Sequence, residues 1–262
     1  MLRALYTSSS GMQAQQMNLD VIANNLANVN TTGFKKSKVE FQDLLYQTNR
    51  AAGAEAGAGN QVPTSLQIGH GARPVATPKV FTNGELYQTG SKLDLAIHGN
   101  GFFKVTMPDG TDAFSRDGAF KMNNSGGVVT SDGLPVTSFA GVTVPSTATN
   151  LTISQDGTVS LTDQGVTSTV GQITLSRFAN PAGMESIGGS LYRPTLASGT
   201  EETGTPGLAG MGSVQQGYLE LSNVKVVEEM VNLIKAQRAY EINSKAIQAA
   251  DEMMSMSNRL RG

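Results

Sequence analysis

The stretch that decides the fold is SNVKVVEEMVNLIKAQRAYEINSKAIQAADEMMSMSNRL, residues 222–260. Counting from Leu219 just ahead of it, Val226, Leu233, Tyr240, Ile247 and Met254 recur every seven residues in one unbroken series. Apolar residues at that spacing line a narrow stripe on an α-helix, the seam of a coiled coil. Met230, Ala236 and Ala250 lie beside the row, and small residues there admit close approach of a partner helix. No Gly or Pro interrupts the stretch. Ser222 or Asn223 can cap its start by accepting a backbone N–H bond. Glu228 and Glu229 in the early turns and Arg259 and Arg261 in the last suit the helix dipole. Glu241 and Lys245 form an i, i+4 pair in the favoured order.

The other end of the chain carries the same signal. Leu5, Met12, Leu19 and Leu26 recur every seven residues, with Ile22 and Val29 three further on from Leu19 and Leu26. Asn28, Asn30 and Gly33 then supply turn formers, so the helix is expected to stop near Asn30. Over about 26 residues it spans roughly 40 Å. Each helix could pack on the chain's own remainder instead. The sustained heptads and their terminal positions favour helix pairing, because an isolated helix is marginal in water.

Between these ends the text changes to Gly, Thr, Ser and Val. Asp109-Gly110, Asp117-Gly118, Asp132-Gly133 and Asp156-Gly157 are hairpin-type dipeptides. They punctuate short β runs at Lys92–Ile97, Phe102–Val105, Gly127–Thr130, Gly141–Val144, Leu151–Ser154, Thr158–Leu161 and Gln172–Phe178. The fold class that follows is α+β: terminal helices forming an α-helical coiled coil, with an inserted antiparallel all-β domain, as a sandwich or open barrel. Residues 1–46 hold the first helix and the segment after it, and pair with the C-terminal helix in 217–262. Residues 47–74 are a Gly/Ala-rich linker, 75–197 the β-rich domain and 198–216 a return linker.

Composition narrows the chemistry. The 262 residues carry a formal net charge of −2, and Lys and Arg do not cluster as phosphate contacts require. Without cysteine there is no disulfide and no Cys-ligated metal. The two histidines, His70 and His98, have no zinc-site spacing. Asp109, Asp112 and Asp117 do not match a calcium loop, and turn duty accounts for Asp109 and Asp117. Gly99-Asn100-Gly101 reads as a tight turn, and Ser8-Ser9-Ser10-Gly11 has no nucleophile-elbow context. No catalytic, cofactor-binding or metal-ligating set is predicted, so the chain reads as no enzyme. Lys35, Lys36 and Lys38, the one local basic cluster, could touch acidic groups on a neighbour, but read rather as a solvated turn. No stretch is long and apolar enough for a membrane helix, and the start has no signal-peptide pattern.

Three ordered motifs carry a family resemblance. Ala23-Asn24-Asn25-Leu26-Ala27-Asn28-Val29, followed by Thr31-Thr32-Gly33-Phe34-Lys35, resembles the N-terminal signature of bacterial flagellar rod and hook proteins. Ser222-Asn223-Val224, Glu228-Glu229-Met230-Val231 and Gln237-Arg238-Ala239-Tyr240-Glu241 are similar to that family's C-terminal motif. Leu93–Ile97, Gly101-Phe102-Phe103, Pro108-Asp109-Gly110 and Arg116-Asp117-Gly118 resemble its central block. Phe41–Thr48, Leu66–Gly69 and Arg73–Thr77 look like the distal-rod members. The Ala-Gly text of residues 49–62 departs from them.

The resemblance implies a structural axial subunit of the basal body. It implies export without a cleaved signal peptide and assembly into the helical tube of the distal rod, which transmits torque to the hook and encloses the export channel. Implied partners are further copies of the chain, other rod proteins, the hook protein, the ring proteins and the export apparatus, with no cofactor, nucleic acid or small-molecule substrate. Asn24, Asn25, Asn28, Gly33 and Phe34 are its signature residues. Another axial role, in the proximal rod or hook, is the alternative, and a β-domain binding module with incidental helical ends is a third.

Overall fold

A computed structural model describes residues 2–53, 63–142, 150–163 and 166–259. The chain folds as two compact units, one of Met1–Leu26, Ser37–Pro78 and Lys225–Gly262, the other of Ala27–Lys36 and Lys79–Val224. The class is α+β, with a helix near each end and antiparallel strands between them. Among the described residues the strands run from two to seven residues and form open sheets of two to four strands. The expected sandwich or open barrel is thus met in its antiparallel pairing alone.

The first unit holds helix α1, Leu2–Ala27, and helix α2, Val226–Arg259. It also holds two antiparallel ladders, Glu40–Asp43 with Ala72–Ala76 and Tyr46–Arg50 with Leu66–Gly69. Strand therefore occupies part of the segment after the first helix and part of the stretch read from sequence as a linker. The Ala-Gly text falls largely on residues 54–62, outside the described residues.

The second unit is organised by Phe102 and Phe103. Neighbouring side chains on a strand point to opposite faces, so this pair serves two clusters. Phe103 meets Phe120 edge-to-face at 5.0 Å, and Phe120 meets Phe139 at 5.7 Å, in a core with Leu95, Ile97 and Val159. Phe102 joins Phe81, Phe178 and Tyr192 on the other side. Burial of side chains of this size contributes about 1.5–3 kcal/mol each.

Three of the four Asp-Gly pairs turn as expected, with Gly110, Gly133 and Gly157 at φ of +81°, +83° and +79°. Asp109 accepts from the Thr111 N–H and hydroxyl at 2.9 and 2.6 Å, and these bonds hold its carboxyl below its ordinary value. Asp117-Gly118 is different. Gly118 serves close approach: a Cβ there would stand 1.6 Å from the Leu95 carbonyl oxygen.

Lys35 departs most from the solvated turn read in the sequence. It is fully buried, and its Nζ donates to Glu220 Oε1 at 2.6 Å and to the Thr82 carbonyl at 2.8 Å. Glu220 also accepts from the Gly84 N–H at 2.8 Å and from Arg116 at 3.3 Å. Burial holds the Lys35 amine below its usual value despite the Glu220 charge, and Arg116 pushes the same way. Burial likewise pushes the neighbouring Tyr192 phenol up to about 12.

Replacing Glu220→Gln leaves two buried cations without a counter-charge, and should cost about 3–5 kcal/mol. A urea titration checks this as a lower midpoint at unchanged slope. Asp117 gives a prediction of opposite sign. Burial raises its carboxyl above the ordinary 3.8, so the ionised form weakens the folded state. This group's contribution is full below pH 3.8 and is lost as pH rises through the folded value. Asp117→Asn keeps an acceptor for Thr32 and Ala119. It should raise the melting temperature at pH 7, with the gain fading below pH 3.8, where the native carboxyl is neutral in both states.

Candidate self-assembly surface

Two contacts fix how helices α1 and α2 meet. A Cβ on Gly11 would lie 3.0 Å from the Asn243 amide nitrogen, and Asn25 Nδ2 donates to Glu229 Oε2 at 3.5 Å. The contacts lie fourteen residues apart on each helix, counted in opposite directions. The helices are therefore antiparallel over at least this span, about 21 Å long. This register sets Asn18 opposite Ala236.

The facing rows are Gly11, Asn18 and Asn25 on one helix and Glu229, Ala236, Asn243 and Ala250 on the other. Asn25, Glu229, Ala236 and Ala250 are buried, at 1, 5, 3 and 1% exposure. Small and polar residues thus supply the described contacts, and Ala14 and Ile22 of α1 are also buried, at 3 and 5% exposure. Ala236 and Ala250 are the small residues that the sequence set beside the row for a close partner helix; the same seven-residue recurrence, extended to Gly11, Asn18 and Asn25, finds the facing row.

The apolar rows read from the sequence lie to the side of this contact. Leu5, Met12, Leu19 and Leu26 are half-buried, and Ile22 is buried. On α2, Leu233, Ile247 and Met254 are half-buried, while Val226 and Tyr240 are each 40% exposed. Further round the helix Val227, Ile234 and Ile242 are exposed. Leu219 leaves the row: it lies on strand Tyr218–Glu220, paired with Leu86–Gln88 in the second unit. The seven-residue series runs one step past the helix.

The start of α2 also differs from expectation. Ser222 Oγ accepts from the Val224 N–H at 3.3 Å, and Asn223 Oδ1 accepts from the Lys36 N–H at 2.8 Å. Neither caps the helix, which begins at Val226 with Glu228 and Glu229 in its first turn.

Each signature residue has a place. Asn25 copies a strand partner, accepting from the Ser37 N–H and donating to the Ser37 carbonyl, both at 2.9 Å. Asn24 stands on the exposed side of α1. Asn28 accepts the Thr31 hydroxyl at 3.1 Å in the turn that ends α1. Gly33 has φ of +67°, and a Cβ there would press within 2.4 Å of the Asp117 backbone. Phe34 is buried, with Lys79 Nζ 4.5 Å from its ring centre. Among the described residues, no group of three or more acids or histidines stands close enough to hold a metal.

Three family profiles match this chain in order. They are the flagella basal body rod protein profile over residues 5–35, the flagellar hook protein FlgE/F/G D1 domain over 96–161, and the flagellar basal body rod FlgEFG protein C-terminal profile over 215–260. The chain is 48% identical to the flagellar basal-body rod protein FlgG of Borreliella burgdorferi, over 100% of this chain and 99% of that protein. It is 47% identical to FlgG of Buchnera aphidicola from Acyrthosiphon pisum, over 99% and 100%, and 44% identical to FlgG of Bacillus subtilis, over 97% of each. With a hook-domain match at its centre, rod matches at both ends and FlgG likeness throughout, the chain belongs to the FlgG family of flagellar basal-body rod proteins.

Proposed function

We propose that the subunit polymerises by burying the apolar rows of α1 and α2 against the same helices of neighbouring copies, in a coiled-coil layer. The chain is a structural subunit of the distal rod of the flagellar basal body, not an enzyme.

One observation carries it. The described contacts of the helix pair are made by small and polar residues, and apart from the buried Ile22 the large apolar residues of both rows stay half-covered or exposed. Contiguous apolar surface of this kind on a soluble unit marks an interaction site. A second copy offers the same rows at the same spacing, so heptads meet heptads. The second unit has its own closed core and gives the tube bulk. Other rod proteins, the hook protein and the ring proteins meet the tube at its ends and outer face. The export apparatus delivers the chain.

Changing Leu233→Asp or Leu19→Asp puts a charge into the inter-copy seam and should abolish rod formation while the second unit stays folded. Ile234→Asp, at a position 52% exposed, should do the same with no loss in the stability of the isolated chain. Circular dichroism of the monomer and electron microscopy of basal bodies read the two effects separately. Normal motility in all three variants would sink the seam.

A further inference from the structure

The chain contains neither cysteine nor tryptophan, so its 11 methionines carry all of its sulfur and are its most readily oxidised side chains. The fold does not shield them equally. Met184 and Met211 are buried in the second unit. Met122 on strand Lys121–Met122 is exposed, and so are Met17 on α1 and Met230, Met253 and Met256 on α2.

Met230 is set apart by its surroundings. It is 52% exposed near the start of α2. Val226 and Val227 one turn before it, Val231 beside it and Ile234 one turn after it are all exposed as well. Helix residues three and four apart are surface neighbours, so Met230 stands at the middle of an apolar patch. Met253 and Met256 lie in different company, among the exposed Asp251, Glu252, Ser255 and Ser257. A polar change at those two sites adds to a polar surface. The same change at Met230 breaks an apolar one.

Oxidation is such a change. Hydrogen peroxide transfers one oxygen atom to the thioether sulfur, which gives up two electrons, and its other oxygen leaves as water. The sulfoxide formed is polar, and its oxygen needs a hydrogen-bond donor. Water supplies one in the free chain, where about half of the Met230 side chain is open. A seam of valine, isoleucine and leucine side chains supplies none.

We propose that Met230 is a peroxide-sensitive modification site that ties the oxidation state of the free chain to its entry into the polymer. The thioether is admitted, the sulfoxide is excluded, and burial in the rod then shields the sulfur. The proposal rests on the reading that copies bury the apolar rows of α2 against one another. The block is reversible: two thiols reduce the sulfoxide to the thioether, forming a disulfide between them and releasing the oxygen as water.

Cells growing rods under mild hydrogen peroxide supply the test. Peptide mass spectrometry should find one added oxygen at Met230 in the unassembled chain and about tenfold less of it in isolated rods. Equal oxidation in the two pools would overturn the proposal. Met230→Gln, which sets a polar side chain of similar length in the patch, should cut rod number about tenfold with monomer melting unchanged. Met230→Leu, which keeps the volume and resists peroxide, should build rods normally. Normal rods with Met230→Gln, or failed rods with Met230→Leu, would each count against a switch based on polarity. If Leu233→Asp abolishes rods while Met230→Gln builds them, the modification site fails and the helix seam stands. If Leu233→Asp also left rods normal, the seam itself would be what failed.

Discussion

The second unit depends on one buried carboxylate. Glu220 lies six residues before the start of α2, and Lys35 eight residues beyond the end of α1. Their contact, completed by Arg116 and the Gly84 N–H, joins the two places where the chain passes between helix and β unit. The Gly33 N–H adds a bond to the Glu220 carbonyl at 2.8 Å, and Asn223 links the Lys36 N–H to the Val80 carbonyl. Buried ion pairs are poor sources of net stability, because desolvation offsets much of their attraction. Their value here is registry. A slip of one residue in either segment would strand a charge in the interior.

Registry matters because the two units treat apolar surface differently. Phe102, Phe103, Phe114 and Phe120 are all at or below 3% exposure, so these four rings are satisfied within the chain, while Tyr87 and Leu196 of the same unit stay exposed. The helices do the reverse. They keep contact through Gly11, Asn25, Glu229 and Ala236, and leave Val227, Ile234 and Ile242 in solvent. A fold that spends its small residues on itself and reserves its large ones is arranged for company.

Much of this was legible in the sequence. The heptads gave both helices, and the first of them has the 26 residues expected. Three of the four Asp-Gly dipeptides turn where the sequence placed turns. What escaped was set by distant partners. Lys35 looks solvated beside Lys36 and Lys38 until Glu220, 185 positions on, comes to meet it. Gly118 looks like a turn until the Leu95 carbonyl is placed against it. Strands such as Tyr46–Arg50 are exposed along their whole length, so no alternation of polar and apolar residues announced them. Leu219 kept the helical period while its neighbours paired as a strand, and hydrogen bonding to Leu86–Gln88 decided the outcome.

The shortness of the ladders has a consequence for how a sticky chain avoids the wrong polymer. Long, flat strand edges are templates for stray pairing and for fibrils of the amyloid kind. No described strand here exceeds seven residues, and most ladders hold only two strands. Such edges offer a stray chain few consecutive hydrogen bonds. The adhesive surface lies instead on helices, whose backbone bonds are already satisfied internally and which can meet a partner only through side chains. Growth is thereby steered towards an ordered tube, and the β-rich two-thirds of the sequence can be made in quantity without becoming an aggregation hazard.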